Sequence, residues 1–528
     1  MDFLRELWEA CEAGRVEEVQ ALLLQDPHNS IDSNWSDPFL TSTPFCNACA
    51  GGYLEIVKLL LNDGRFDGDI NKENKNGASP FLFACYQGHI EVVKLLLNDS
   101  RVDINKARKD GKTPFYIACQ QGHLEVAKLL LNDQRVDIKR INQNGSTPFW
   151  IACRFGHIEI VKLLLSDERV VDINQANKKG STPFWIACKK GHTDIVRLLL
   201  NDERVDINKS QNQDVTPFFI ACKKGHIEIV KILLNDEKID LNEANKYDET
   251  PFLIACEKGF VEIVTLLLND QRIDINKALK NGKTPFLIAY LEGYREIVKL
   301  LLSNTRININ KAENDGWTPF LITCQSGDIE IVKLLLNDER VDINQANNLS
   351  ETPFYIACRY GQIEIVKLLL SNEKIDINKA NKSGWTPFFI ACSRGHIEIV
   401  KLLLNDERVH IHIVNGERIE LELDINRTND YNKIPLHTAC WNAHIETVKY
   451  LLAAREVNFE GKNNEGKTAL DVAREIREEY EKRNWKNEEK IRNYGMIIEL
   501  LESFERNPNE IRTKLRIDFG LAGNYFII

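Results

Sequence analysis

Apolar residues recur along this chain in two alternating helical blocks. One block, Phe115-Tyr116-Ile117-Ala118-Cys119, follows Thr113-Pro114. A threonine at the cap with proline at the first helical position is a strong helix start. The spacing predicts a short helix over 114–121, stopped by Gly122, a residue free to take positive φ. The second block places Leu124, Ala127, Leu130 and Leu131 on one face at three- and four-residue steps, which predicts a helix over 124–131. Asn132-Asp133 ends it. Val136-Asp137-Ile138 reads as a short extended segment leading to a turn at Gln143-Asn144-Gly145.

This phrase repeats. Pro114 to Pro148 is 34 residues, Pro148 to Pro183 is 35, and each further step to Pro387 is 34. A fixed period of this size marks a solenoid, in which units that cannot bury an apolar face alone stack to form the core. About fourteen units can be placed, beginning with Leu4–Leu24 and ending at Thr468-Ala469. Helix, tight turn, helix and protruding turn, with Thr-Pro, Gly-His-Ile-Glu-Ile-Val-Lys-Leu-Leu-Leu and Asp-Ile-Asn at fixed places, resembles the ankyrin-repeat family. Ile434-Pro435-Leu436-His437-Thr438-Ala439 carries the Pro-Leu-His form of the helix start; elsewhere Phe replaces the Leu. The resemblance covers roughly residues 2–506 and implies an all-α repeat solenoid, with short β-like turns, that binds proteins. On that reading residues 1–34 are an amino-terminal cap and 35–466 the array. Residues 467–506 are a carboxyl-terminal cap with lengthened helices, and 507–528 a tail.

Composition narrows the class. The chain has 528 residues, 43% of them hydrophobic, and a formal net charge of -10. It holds no run of 18 apolar residues that would span a membrane, and its acidic start lacks the apolar core of a signal peptide. The expectation is a cytoplasmic or nuclear monomer, without cofactor, metal or nucleic acid. Twelve of the thirteen cysteines fall on one repeat position, among them Cys119, Cys153 and Cys188. Neighbouring layers hold that position about 8–10 Å apart, beyond disulfide reach, so buried thiols are expected. Cys46-Asn47-Ala48-Cys49 has redox spacing without thioredoxin context. Seven histidines, among them His157, His192 and His226, share the position after the inter-helix glycine and read as structural residues at a helix start. No phosphate-binding loop, serine-nucleophile, zinc-protease or kinase motif is present, so no enzyme is expected.

Function is then sought where the repeats differ. The residues before the inter-helix glycine vary and are expected to line the concave face. There Arg154, Lys189, Lys190, Lys223, Lys224 and Lys258 form a basic stripe over four layers of an acidic protein. Phe155, Arg359 and Tyr360 share these columns. Trp150 and Trp185 lie one helical turn earlier, and Trp317 and Trp385 stand beside turn tips. Aromatic residues beside cations are what interfaces favour. The plainer alternative is solvated lysines with aromatics packed between layers. The leading expectation is a non-catalytic scaffold binding an acidic protein partner on the concave face and turn tips. The alternatives are a substrate-recruiting subunit of an enzyme complex, such as a ubiquitin ligase, or an elastic linker.

One insertion breaks the period, since Pro387 to Pro435 is 48 residues. Its alternating residues, 409–423, predict a β-hairpin. A three-residue loop over 414–416 would set Ile411 opposite Ile419 and gather one apolar face, whereas a two-residue loop would set Ile411 opposite Glu420. His410, His412, Glu420 and Glu422 would then share the polar face, as cross-strand pairs or as a metal site. The apolar tail Tyr525-Phe526-Ile527-Ile528 either docks on the cap or binds a partner.

Overall fold

The computed structural model describes residues 2–25, 35–36, 42–63, 69–169, 172–405, 411–414, 417–420, 425–454, 457–483 and 487–521. These form an all-α repeat fold of paired short helices, divided into two compact units. The first unit comprises residues 1–279 with 292–297, and the second 280–291 with 298–528.

Within the first unit each repeat is built in the same way. Thr147 caps the helix Pro148–Phe155, its hydroxyl oxygen accepting from Trp150 N at 3.0 Å. Pro148 fills the first position, where no donor is needed. Phe149, Ile151, Ala152 and Cys153 are buried against neighbouring layers. Gly156 ends the helix at φ 83°. A Cβ there would lie 2.7 Å from the His192 ring, so close packing reinforces the conformational demand for glycine. The second helix, Ile158–Leu165, buries Ile160, Val161 and Leu164.

The histidine column is structural in a way the helix-start reading missed. These residues sit at the cap position of the second helix but make no side-chain cap there. Each ring instead reaches back one layer. His157 Nε2 meets Gln120 O at 3.0 Å, His192 Nε2 meets Arg154 O at 3.0 Å, and His226 Nε2 meets Lys189 O at 3.0 Å. Those carbonyls end the preceding helix and lack helical partners. His396 and His444 repeat the clamp in the second unit, on Arg359 O and Ser393 O.

The Asp-Ile-Asn turns supply a second ladder. Asn208 Nδ2 donates to Lys238 O at 2.7 Å, and its Oδ1 accepts from Asp240 N at 2.9 Å. Asn71, Asn105, Asn174 and Asn242 do the same in the first unit, Asn310 and Asn344 in the second. The expected extended segment at 136–138 is therefore a turn, held by side-chain amides rather than by strand pairing. The thirteen cysteines are free and buried. Burial pushes the Cys46 thiol up to about 12, and Cys49 beside it rises well above its ordinary value. A redox pair needs the opposite shift.

In the second unit, helices Ala469–Lys482 and Glu488–Arg506 pack on each other and are far longer than the repeat helices. Helix Pro508–Asp518 packs on Ile445–Ala453 and Glu488–Arg506, and the Phe519 ring meets Tyr450 edge-on at 5.0 Å. Residues 522–528, with the apolar tail, lie outside the described residues. In the insertion, strands Ile411–Val414 and Glu417–Glu420 pair antiparallel, with Ile411 opposite Glu420 and Val414 opposite Glu417. This corrects the expected register. The strands are separated by two residues, Asn415-Gly416, the pair favoured for a two-residue loop because its twist matches that of the strands. His410 and Glu422, and the side chains of His412 and Glu420, lie outside what is described.

Candidate partner-binding surface

The first helices of three successive repeats in the first unit carry cations in their last turn: Pro148–Phe155, Pro183–Lys190 and Pro217–Lys224. The last turn of a helix favours positive charge through its dipole, which offsets part of the cost of placing these residues side by side. Arg154, Lys190 and Lys224 are exposed, while Lys189 and Lys223 are half-buried. Three of these cations lie over aromatic rings. Arg154 is 5.6 Å from the Trp150 ring centroid, Lys189 Nζ 5.0 Å from that of Trp185, and Lys223 Nζ 5.7 Å from that of Phe219.

None of these five cations has an ion-pair partner among the described residues, whereas lysines on the second helices do. Lys128, Lys162 and Lys231 each meet a glutamate three residues earlier, at 2.7, 2.7 and 2.9 Å. The Lys189 ammonium is held below its usual range, first by burial and then by Lys224, Lys190, Lys179 and Arg154. Positive charge is therefore concentrated here and uncompensated. Beside it runs a groove of about 340 Å3 whose lining includes Lys112, Asn142, Trp150, Arg154, Lys178 and Lys179.

The model for ankyrin repeats matches residues 7–108, 100–177, 169–245, 237–313, 307–381 and 373–460. The chain belongs to the ankyrin-repeat family. Its members are generally protein–protein interaction modules and typically non-catalytic. No curated protein matches this ankyrin-repeat chain. No described helix is long and apolar enough to cross a membrane. Among the described residues no group of three or more His, Cys, Asp or Glu side chains could hold a metal ion.

Several candidate residues take other places than expected. Trp150 and Trp185 are 3% and 5% exposed, so they are not exposed anchors. Each indole Nε1 donates across to the next layer, to Ser181 O at 2.9 Å and Val215 O at 2.8 Å. They pack between layers and support the cations above them. Lys258 is exposed but paired with Glu257 at 2.7 Å, so it does not extend the uncompensated stripe. Phe155, 47% exposed, is the aromatic side chain that the ankyrin array presents beside Arg154. Trp317, Arg359, Tyr360 and Trp385 belong to the second unit. There Arg359 donates to the buried Glu351 carboxylate, Tyr360 is 43% exposed, and Trp317 is half-buried. Trp385 is half-buried against Phe389, ring centroids 4.8 Å apart. Sequence reasoning missed Lys178 and Lys179. The signal was the Lys178-Lys179-Gly180 turn, which stacks one layer from Asn144 through Lys178 N to Asn144 O at 2.9 Å.

Proposed function

We propose that this ankyrin-repeat chain is a non-catalytic scaffold that holds an acidic segment of a protein partner along Arg154, Lys189, Lys190, Lys223 and Lys224. The observation that carries this reading is that none of the five cations has a carboxylate partner among the described residues, in a chain whose net charge is -10. Solvated lysines on the second helices are neutralised in place; these are not. Clustered like charge speeds encounter with an opposite partner and makes association depend on salt. Phe155 and the Lys178-Lys179 turn would widen the contact.

The test uses the full chain and a fluorescent poly-glutamate peptide. Binding should weaken steeply as salt rises and be lost when Lys189, Lys190, Lys223 and Lys224 are all changed to Glu. Thermal melting should fall only modestly, because no ion pair among the described residues is broken, although the cation–ring contacts and the favourable charge at the helix ends are lost. Undiminished affinity in the reversed chain would reduce the stripe to a solvated face.

A further inference from the structure

The second unit contains a cavity of about 620 Å3 whose chemistry differs from the stripe. Its walls come from the helices Pro387–Arg394 and Pro435–Trp441, the turn between Asn429 and Lys433, and Lys490 at the start of the long helix Glu488–Arg506. Trp385, Tyr431 and Trp441 supply aromatic surface, and Arg394, Lys433 and Lys490 supply charge. No carboxylate lines it, and none of these three cations has an ion-pair partner among the described residues. Lys433 Nζ lies 4.6 Å from the Trp441 ring centroid.

One wall carries an unmet hydrogen-bond donor. Asn429 is 5% exposed, and its Nδ2 has no partner among the described residues. Its orientation is fixed, because Oδ1 accepts from Tyr431 N and Lys433 N, both at 3.0 Å. In four sibling layers the same amide is answered within the fold. Asn142 Nδ2 donates to Tyr116 Oη at 3.0 Å and Asn381 Nδ2 to Tyr355 Oη at 3.2 Å. Asn245 Nδ2 donates to Glu249 Oε2 at 2.7 Å and Asn347 Nδ2 to Glu351 Oε2 at 2.8 Å. In the Asn429 layer, Phe389 stands in the tyrosine's place and Lys433 in the glutamate's. Both internal acceptors are removed, and a cation is set where a carboxylate sits elsewhere.

The Glu351 layer shows what such a place holds. There one buried carboxylate receives an asparagine amide and an arginine together. We propose that the cavity takes a carboxylate supplied from outside: a Glu or Asp side chain of an acidic peptide whose neighbouring apolar side chain lies on Trp385 and Trp441. Asn429 Nδ2 and Lys433 would hold the carboxylate, and Arg394 and Lys490 would meet flanking acids. A peptide, rather than a free small acid, fits because the aromatic walls and outlying cations extend beyond one carboxylate. The site is separate from the stripe of the first unit and stands or falls without it.

The experiment uses the full chain with Lys189, Lys190, Lys223 and Lys224 changed to Glu, which removes stripe binding. A blocked peptide of alternating glutamate and leucine is titrated, with tryptophan fluorescence as the readout. A matched glutamine–leucine peptide should bind at least tenfold more weakly, and free glutamate should not compete at equal concentration. Lys433→Glu restores the internal carboxylate found at Glu351; it should lower peptide affinity at least tenfold while raising the melting temperature. Lys490→Gln should lower affinity without changing melting. Equal binding of the glutamine peptide, equal competition by free glutamate, or unchanged affinity in Lys433→Glu would each overturn the proposal.

Discussion

Replacing Asn208 by alanine tests whether the asparagine ladder, rather than apolar contact alone, holds adjacent turns in register. The side chain makes two bonds to the next layer, to Lys238 O at 2.7 Å and from Asp240 N at 2.9 Å. A typical intramolecular hydrogen bond contributes about 0.5–1.5 kcal/mol net, so two are worth about 1–3 kcal/mol. Both groups stand where water can replace the lost partner, which places the loss in the lower part of that range, about 1–2 kcal/mol. Ordinary surface substitutions stay within about 0.5 kcal/mol, so the effect is separable. Urea unfolding of the first unit, followed by the buried Trp150 and Trp185, gives the number, and amide exchange at Asp240 should accelerate. Asn208→Asp keeps the acceptor but sets an oxygen against Lys238 O, so it should not rescue. Asn71→Ala and Asn242→Ala, distant in the same unit and without a shared partner, should add within about 0.5 kcal/mol. A loss below about 0.5 kcal/mol for Asn208→Ala would refute the reasoning and leave the stack to apolar contact.

The buried tryptophans and the exposed phenylalanine should behave oppositely. Trp185→Ala removes a core side chain and its bond to Val215 O, and should cost about 3–5 kcal/mol in urea unfolding. Phe155→Ala should change stability by less than about 1 kcal/mol yet weaken binding of an acidic peptide; the reverse pattern would restore the exposed-tryptophan reading. His437 should make the second unit sensitive to acid. Its Nε2 bonds Lys467 O at 3.0 Å and so carries the proton, while Nδ1 accepts from Ile434 N at 3.3 Å. A second proton would face a donor, and burial already lowers the pKa of this ring. The folded state therefore binds fewer protons than the unfolded one, whose histidine titrates near about 6.5. Stability should be intact above that pH and fall as pH drops through it. Titration of the His437 ring by NMR in the native chain should give a midpoint below about 6.5; a midpoint above that value would refute the tautomer assignment.

The helices were legible because their signals are local and redundant. Thr147-Pro148 fixes a start, Gly156 fixes an end, and the intervening apolar residues agree with both. The cysteine column was legible for the same reason, since in most layers the cysteine directly follows a buried alanine. Contacts between layers were not. Trp150 looked like an interface residue because its neighbour Arg154 is charged. Whether an indole faces water or the next layer depends on Ser181 O, 31 residues away. The histidine clamp was hidden likewise, because its acceptor is a backbone carbonyl one layer back, on residues whose side chains differ: Gln120, Arg154 or Lys189. The hairpin register turned on a choice between turn geometry and facial segregation, and the paired strands take the former.

These failures share a cause that also indicates where function lies in a repeat array. A position that repeats in every layer is answered by the neighbouring layer, as His226 is by Lys189 O and Asn208 by Lys238 O. Such positions are spent on stacking and are silent about partners. A deviation speaks only when the neighbour does not answer it. Lys258 deviates and is answered by Glu257; Arg359 deviates and is answered by Glu351. Lys189 and Lys223 deviate, and among the described residues no carboxylate meets them. Lys433 goes further, since it displaces the acid that Asn429 would otherwise use and leaves a buried amide unpartnered. Charge on the surface of a soluble repeat is common, but a buried donor whose sibling is satisfied in four other layers carries a standing cost. On the reading proposed above an acceptor from outside the fold relieves that cost, which makes Asn429, rather than any of the more conspicuous lysines, the position to test for what a partner brings.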